Sequence, residues 1–262
     1  MAVLLYHLPN AICAQKVRVV LAEKGVPFSA ENVVNRLRDP EYLKLNPNGY
    51  VPTLVHDGKV LWESRIIAEY IDDAFEGPPL LSEDPFERAQ TSIWTKQIDD
   101  SLHLNVFILS LTAIFRDVFL ARPEGEREKF LAFDLTKRER TKAILKDGWD
   151  SHYVDEAVKR FAKLTADMED ALQNGPWLVG SSYSLADADF TPYLHRLTDL
   201  GLSRLWKTKP ALAAWFDRVR SRNSFDEVYK NWYTEEEVAA ADRIRVAAEP
   251  KFGAVLDRLG LD

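Results

Sequence analysis

The stretch NPNGYVPTLVHDGKVLWES, residues 46–64, most constrains what this chain can fold into. Asp57-Gly58 stands between two runs of apolar and β-branched residues, which is a strong signal for a β-hairpin. Pro52 opens the first run, where its missing N–H fits the start of a strand or a special turn. The second run ends at Glu63-Ser64, directly before an apolar-periodic segment over residues 65–74. The sequence therefore predicts a hairpin that leads into a helix.

The elements before this hairpin alternate. A short apolar strand over Val3–His7 precedes a helix over residues 11–24, which Gly25 ends. Residues 27–34 read as a second strand and residues 39–45 as a helical turn. The predicted order over the first 77 residues is thus β-α-β-α-β-β-α, an α+β arrangement of the thioredoxin-like kind.

The pattern changes after Gly77-Pro78-Pro79, which marks a domain boundary. We predict domains over residues 1–80 and 86–262, and only helical periods occur in the second. The predicted helices of this all-α domain cover residues 86–120, 126–146, 154–172, 194–202, 211–219 and 235–259. Ser184-Leu185-Ala186-Asp187 reads as a capping box in which Asp replaces the usual Glu.

These motifs, in this order, resemble the glutathione transferase superfamily. That family joins a thioredoxin-like domain to an all-helical one, and its central buried helix starts with the same capping element. Three features narrow the resemblance to the bacterial glutathione-dependent β-aryl etherases of lignin breakdown. They are the segments HDGKVLWESRIIAEYIDDAF and DPFERAQTSIWTKQIDD and a long insertion between the first two large helices of the second domain.

The resemblance implies a glutathione site and roles for its residues. Pro52 would be the cis proline, and the backbone of Val51 would pair with the cysteinyl unit of glutathione. Glu63 and Ser64 would hold the γ-glutamyl carboxylate; the alternative for them is an ordinary helix cap. Arg38, with Arg36, either pairs with the glycyl carboxylate, which guanidinium matches bidentately, or lies in a solvated loop.

The thiol-activating position departs from the family pattern. Relatives place Ser, Tyr or Cys after the first strand, whereas this chain has Ala11 and Ala14 at the aligned positions. Three alternatives remain open. Asn10 acts with the backbone N–H groups of residues 12–14, or the site has lost its activating group, or Cys13 is a nucleophile and not merely a small buried residue.

The hydrophobic substrate pocket is expected between the two domains. Aromatic side chains of the second domain are available to line it, although each is also a candidate for the core: His103, Phe107, Phe115, and Trp149 with Tyr153. Asp99 and Asp100 either reach the γ-glutamyl amine or form a polar helix face.

Composition limits the partners. The net charge of −7 argues against nucleic acid or an acidic membrane surface. A single cysteine, Cys13, excludes a disulfide framework, and the five histidines lack metal-ligand spacing, so no metal is expected. The N-terminal MAVLLYHLPN reads as a strand and not as a signal peptide, and no stretch reaches the length of a membrane span. We expect a cytoplasmic protein.

The resemblance implies a reaction and an assembly. Glutathione would be the co-substrate, and its thiolate would attack a hydrophobic, aromatic electrophile, including β-aryl ethers derived from lignin. The alternatives are another glutathione-dependent reaction, such as dehalogenation or isomerisation, and a non-catalytic, glutathione-binding subunit of a transferase dimer. The family is dimeric, so we expect a dimer of identical or different subunits.

Overall fold

The computed structural model describes residues 2–261, and its strands form one four-stranded sheet. The sheet order is β2-β1-β3-β4, with β1 parallel to β2 and antiparallel to β3. Leu5 on β1 lies opposite Leu54 on β3, and both side chains are fully buried. The strands are β1 (Val3–His7), β2 (Ser29–Asn32), β3 (Thr53–His56) and β4 (Lys59–Trp62).

Three helices complete this α+β part and confirm the predicted order. They are α1 (Ile12–Glu23), α2 (Pro40–Leu45) and α3 (Ser64–Ala74). Gly25 follows α1 with φ +65°, a conformation that favours glycine. The buried face of α3 carries Ile67 and Ile71, four residues apart, as an amphipathic helix requires.

A helical run from Pro85 to Leu120 follows, as the sequence predicts, but it is not uniformly α-helical. It consists of α4 (Pro85–Gln97), a π-helical turn (Ile98–Leu102), α5 (His103–Ser110), a second π-helical turn (Leu111–Phe115) and α6 (Arg116–Leu120). Contrary to the sequence-based expectation, this run is long and apolar enough to cross a membrane, by length and composition alone. Core helices of soluble proteins have the same property, and 44 % of its most apolar window is buried.

The insertion differs from the prediction of one helix over residues 126–146. It forms two helices, α7 (Glu124–Phe133) and α8 (Leu135–Asp147). Asp134 separates them, because its side chain accepts hydrogen bonds from the backbone N–H groups of Thr136 and Lys137. Aspartate is a preferred N-cap residue, so it starts a new helix where composition alone suggests continuity.

The remaining helices include one that the sequence did not predict, α12, and one that is longer than predicted, α10. Helix α10 starts after Ser184, as the capping box predicts, and continues past Pro192, so residues 194–202 do not form a separate helix. Two 3₁₀ turns (Gly148–Asp150 and Ser203–Trp206) accompany the helices α9 (His152–Ala171), α10 (Leu185–Asp199), α11 (Pro210–Arg220), α12 (Asn223–Tyr229) and α13 (Glu235–Leu259).

The chain divides into two compact units that interleave along the sequence. The first contains the residues up to 95 together with 174–193 and 214–234, and the second contains residues 96–173, 194–213 and those from 235 onward. The predicted boundary between residues 80 and 86 stays a prediction. All the described elements after residue 85 are helical.

Candidate functional site

The turn before β3 contains a cis peptide bond between Val51 and Pro52, as the family resemblance predicted. Pro52 is buried, whereas Val51 is partly exposed. Within residues 2–261, no hydrogen bond joins the backbone N–H or C=O of Val51 to another residue. Such an unpaired N–H and C=O can bind an extended peptide, which then pairs with the turn in the way that an added β-strand pairs with a sheet edge.

Buried polar side chains hold this turn in place. The Tyr42 hydroxyl donates to the carbonyl of Tyr50 at 2.5 Å, and Asn46 Nδ2 donates to the same carbonyl at 3.0 Å. Both side chains also contact Thr53 Oγ1, at 2.9 Å and 3.1 Å. Burial raises the pKa of Tyr42, which keeps the phenol neutral and able to donate. None of these bracing contacts was predicted from the sequence.

Arg38 binds the neighbouring turn. Its Nη1 donates to the carbonyl of Gly49 at 2.7 Å and to that of Leu37 at 3.3 Å. Gly49 has φ +60°, and a Cβ there would lie 2.9 Å from the Leu37 carbonyl oxygen, so the turn requires glycine. Arg36 forms an ion pair with Glu31 in the same region. The predicted contact of Arg38 with a glycyl carboxylate stays a prediction.

Glu63 and Ser64 lie where β4 passes into α3. Glu63 is exposed and has φ +73°, an unusual value for a residue other than glycine. Ser64 is the first residue of α3 and is 8 % exposed. Its Oγ accepts a hydrogen bond from Lys16 Nζ at 3.3 Å, and Lys16 also forms an ion pair with Asp189 at 3.1 Å.

The N-terminus of α1 has no side-chain cap. Ala11 is the N-cap residue, and the first turn has no acidic side chain, so the partial positive charge of the helix end is not neutralised by this turn. The N–H of Ala14 donates to the Ala11 carbonyl at 2.9 Å, which removes it from the predicted set of thiolate donors. Asn10 is exposed, and Cys13 is partly exposed, contrary to the alternative of a buried small residue.

The turn before α1 is anchored at the carbonyl of Pro9. Arg18 Nη2 donates a hydrogen bond to this carbonyl at 2.8 Å, and the Tyr233 hydroxyl donates a second one at 3.0 Å. Gln15 Nε2 in turn donates to the Tyr233 hydroxyl at 2.7 Å. Two side chains therefore fix the residue that precedes Asn10, with Gln15 holding Tyr233 in place. None of these contacts was predicted from the sequence.

An aromatic and cationic cluster supports the same turn. Arg18 is fully buried, contacts His7 Nδ1 at 2.9 Å, and lies 4.8 Å from the ring centroid of Trp232. Trp232 also stacks on Phe28. Burial, with the nearby charge of Arg18, lowers the pKa of His7 to about 4. His7 is therefore neutral at pH 7 and accepts the hydrogen bond at Nδ1, since guanidinium is only a donor.

The predicted substrate residues have separate surroundings. Phe115 is 47 % exposed, whereas the Trp149 ring packs edge to face on Phe252 at 4.7 Å. Lys137 lies over the Phe107 ring at 5.3 Å, and His103 is partly exposed. The described contacts do not join the four into one cluster, and their role in substrate binding stays a prediction.

Two further groups of candidate residues have partners or functions within the fold. Asp100 pairs with Lys96 at 2.5 Å, and Asp99 is exposed, which supports the polar helix face. Asp187 accepts from both the N–H and the hydroxyl of Ser184 at 2.9 Å, which confirms the part of the predicted capping box that the aspartate side chain forms. No group of three His, Cys, Asp or Glu residues that could hold a metal ion occurs within residues 2–261.

Comparison with known proteins gives the same family for both parts of the chain. Residues 12–74 match the model of the glutathione S-transferase N-terminal domain, and residues 151–218 match that of the C-terminal domain. Protein LigF of Sphingobium sp. is 28 % identical over 90 % of this chain and 96 % of its own length. A stringent starvation protein A homolog of Haemophilus ducreyi is 29 % identical over 83 % of this chain and 85 % of its own.

The similarity extends to solved structures. The crystal structure of the beta-etherase LigF from Sphingobium sp. superposes with a TM-score of 0.77 at 26 % identity, over 88 % of this chain and all of that one. Homologues of this family use glutathione as co-substrate, and the cis-proline turn and the Glu63-Ser64 pair occur here in the expected order. With both domain models matched and the fold shared, the chain belongs to the glutathione transferase family.

Proposed function

We propose that this chain catalyses the attack of glutathione thiolate on hydrophobic aromatic electrophiles, and that β-aryl ethers are among them. In such an ether the sulfur forms a bond to carbon while the carbon–oxygen bond breaks, and phenolate leaves with the bonding electron pair. The similarity to the beta-etherase LigF over nearly the whole chain supports this substrate class. The thiolate would also serve dehalogenation, the alternative within the same site.

The braced cis turn carries the proposal for glutathione binding. The unbonded backbone of Val51 would pair with the cysteinyl unit, because the turn is held by the hydrogen bonds of Tyr42 and Asn46 and offers both a donor and an acceptor. At the γ-glutamyl end, the predicted contact of Glu63 with the carboxylate is revised, because two carboxylates only accept hydrogen bonds and repel each other. The exposed Glu63 would hold the ammonium group instead, and Ser64 would hold the carboxylate. The positive φ of Glu63 turns the chain so that both residues precede the body of α3.

The uncapped end of α1 is proposed to stabilise the thiolate. A free thiol titrates near pH 8.5, so a nearby partial positive charge is needed to ionise it at pH 7. Ala11 provides no hydroxyl, and the anchored Pro9 carbonyl fixes the turn that carries Asn10. We propose that Asn10, with the backbone of this helix end, donates hydrogen bonds to the sulfur, and that Cys13 is dispensable.

Isothermal titration calorimetry with glutathione tests the binding site. Glu63→Ala should weaken binding by more than about 1 kcal/mol, since it removes a charged hydrogen-bond partner. Glu69→Ala is the matched control, because Glu69 lies on α3, which Glu63 directly precedes, and pairs only with Arg65 among the described ion pairs. Equal affinities for the two variants would contradict the assignment of Glu63.

A turnover assay tests the chemistry. With glutathione and a model β-aryl ether, the protein should release the phenol and form a glutathione thioether. Asn10→Ala should reduce the rate about ten-fold or more, whereas Cys13→Ala should keep most of it. Loss of turnover in Cys13→Ala would show a thiol-transferase mechanism instead. An inert wild type that binds glutathione would support the non-catalytic subunit, for which the missing hydroxyl at Ala11 is the motivating observation.

A further inference from the structure

A buried lysine contacts the proposed glutathione clamp from inside the protein. The Lys16 side chain has no exposed surface, and its Nζ lies 3.3 Å from Ser64 Oγ and 3.1 Å from Asp189 Oδ2. We propose that Lys16 is a positioning residue that fixes the Ser64 hydroxyl as a hydrogen-bond donor toward the γ-glutamyl carboxylate. This inference rests on the proposed function, because it assumes that Ser64 binds that carboxylate.

The direction of the hydrogen bond follows from chemistry. An ammonium group is a donor only, so Ser64 Oγ must accept from Lys16. A serine hydroxyl has one hydrogen, which rotates to suit its neighbours. Because Lys16 occupies a lone pair of the oxygen, the hydrogen points away from Lys16 and remains available to an acceptor. A carboxylate accepts only, so it matches this orientation.

Lys16 therefore acts mainly through Ser64 and not through its own charge. Asp189 lies within ion-pair distance and is 1 % exposed, so it offsets the positive charge of Lys16. A buried ammonium without such a partner would be strongly unfavourable. The ion pair with Asp189 compensates the buried ammonium group, and the hydrogen bond from that group keeps the serine hydroxyl oriented.

A second buried lysine, directly after α1, provides a matched comparison. Lys24 forms an ion pair with Asp72 at 3.0 Å, and both side chains are almost fully buried. Its other contact is the backbone carbonyl of Asp72, at 3.2 Å. Lys24 is thus nearly as buried as Lys16 and has the same kind of partner, but it donates to no residue of the proposed clamp.

The inference predicts a selective loss of affinity. Cysteinylglycine lacks the γ-glutamyl unit, so its binding should not depend on the orientation of Ser64. Lys16→Met should raise the Kd of glutathione about ten-fold while leaving that of cysteinylglycine unchanged. A purely structural role would weaken both ligands, and Lys24→Met should leave both dissociation constants as in the wild type.

Removing Lys16 alone leaves Asp189 buried without its ion-pair partner, which can destabilise the fold. The double variant Lys16→Met with Asp189→Leu removes both charges and avoids this cost. It should fold and show the same ten-fold loss for glutathione, measured by titration calorimetry. Lys16→Arg, which restores a cationic donor, should recover part of the affinity.

A double-mutant cycle separates the inference from the proposed function. Ser64→Ala should weaken glutathione binding, and Lys16→Met should have no further effect in that background. If Ser64→Ala weakens binding but the Lys16 variants do not, the inference is wrong and the clamp stands. If the wild type binds glutathione no better than cysteinylglycine, the clamp itself is wrong and the inference is overturned with it.

Discussion

Asp187 provides a quantitative test of how the first compact unit is held together. Its Oδ1 accepts from the Leu178 N–H at 3.0 Å and from Trp215 Nε1 at 2.7 Å, and its Oδ2 accepts from the N–H and the hydroxyl of Ser184. All four residues are buried. Burial raises the pKa of Asp187 in spite of these bonds, so the ionised carboxylate itself is costly.

The Asp187→Ala variant leaves three buried N–H donors without an acceptor. Each unsatisfied donor costs about 1–3 kcal/mol, and relief of the carboxylate desolvation offsets part of the sum. We therefore expect a loss of about 2–4 kcal/mol in the free energy of unfolding. Asp187→Asn keeps one of the two accepting oxygens, and its NH₂ group faces the two donors that the other oxygen served. Its free energy of unfolding should therefore fall by about half as much.

Urea unfolding followed by tryptophan fluorescence measures this loss, since Trp215 is in the network. The matched control is Asp167→Ala, whose partner Lys163 is 69 % exposed at the protein surface. That variant should change stability by less than about 0.5 kcal/mol. An Asp187→Ala protein as stable as the Asp167→Ala protein would refute the reasoning.

Three further outcomes are expected. Burial raises the pKa of Asp199 to about 6; Arg196 and Arg245 oppose this shift, and Asp242 reinforces it. The contribution of Asp199 to stability is therefore present below about pH 4 and is lost as the pH rises through 6. As the pH rises between those values, the free energy of unfolding of Asp199→Asn should gain about 1.5 kcal/mol relative to wild type in urea titrations. This is half of the energy of the full pKa shift, because the side chain is 29 % exposed. A difference between the two proteins that does not change with pH would contradict this. Gly49→Ala should lower the melting temperature and weaken glutathione binding together, because its Cβ would meet the Leu37 carbonyl; an unchanged protein would show that the turn adapts. Light scattering at micromolar concentration should give a dimer, and a mass near 30 kDa throughout would count against it.

Local signals explain why most of the fold could be predicted. The Asp57-Gly58 hairpin, the ending of α1 at Gly25 and the Ser184-Asp187 cap each depend on residues within a few positions of one another. The position of the Glu63-Ser64 pair likewise follows from the order of β4 and α3. The split of the insertion at Asp134 depends on a local cap that composition concealed.

The supporting residues of the site could not be predicted in the same way. Lys16 and Arg18 are fully buried, although charged residues in a helix normally predict an exposed face. Lys16 pairs with the distant Ser64 and Asp189, and Arg18 packs on the distant Trp232. No periodicity in the sequence indicates such pairings. The sequence held one indirect signal. Both cations lie within the apolar sequence of α1, which has no polar face on which they could be exposed.

The pKa of the thiol of bound glutathione tests the central claim most directly. A pH titration of thiolate absorbance in the saturated complex, corrected for free glutathione, measures it without any electrophile. The account predicts a pKa at least about one unit below the free-thiol value of about 8.5, and a return toward that value in Asn10→Ala but not in Cys13→Ala. A bound thiol that titrates like free glutathione would contradict the claim that this chain activates glutathione for transfer.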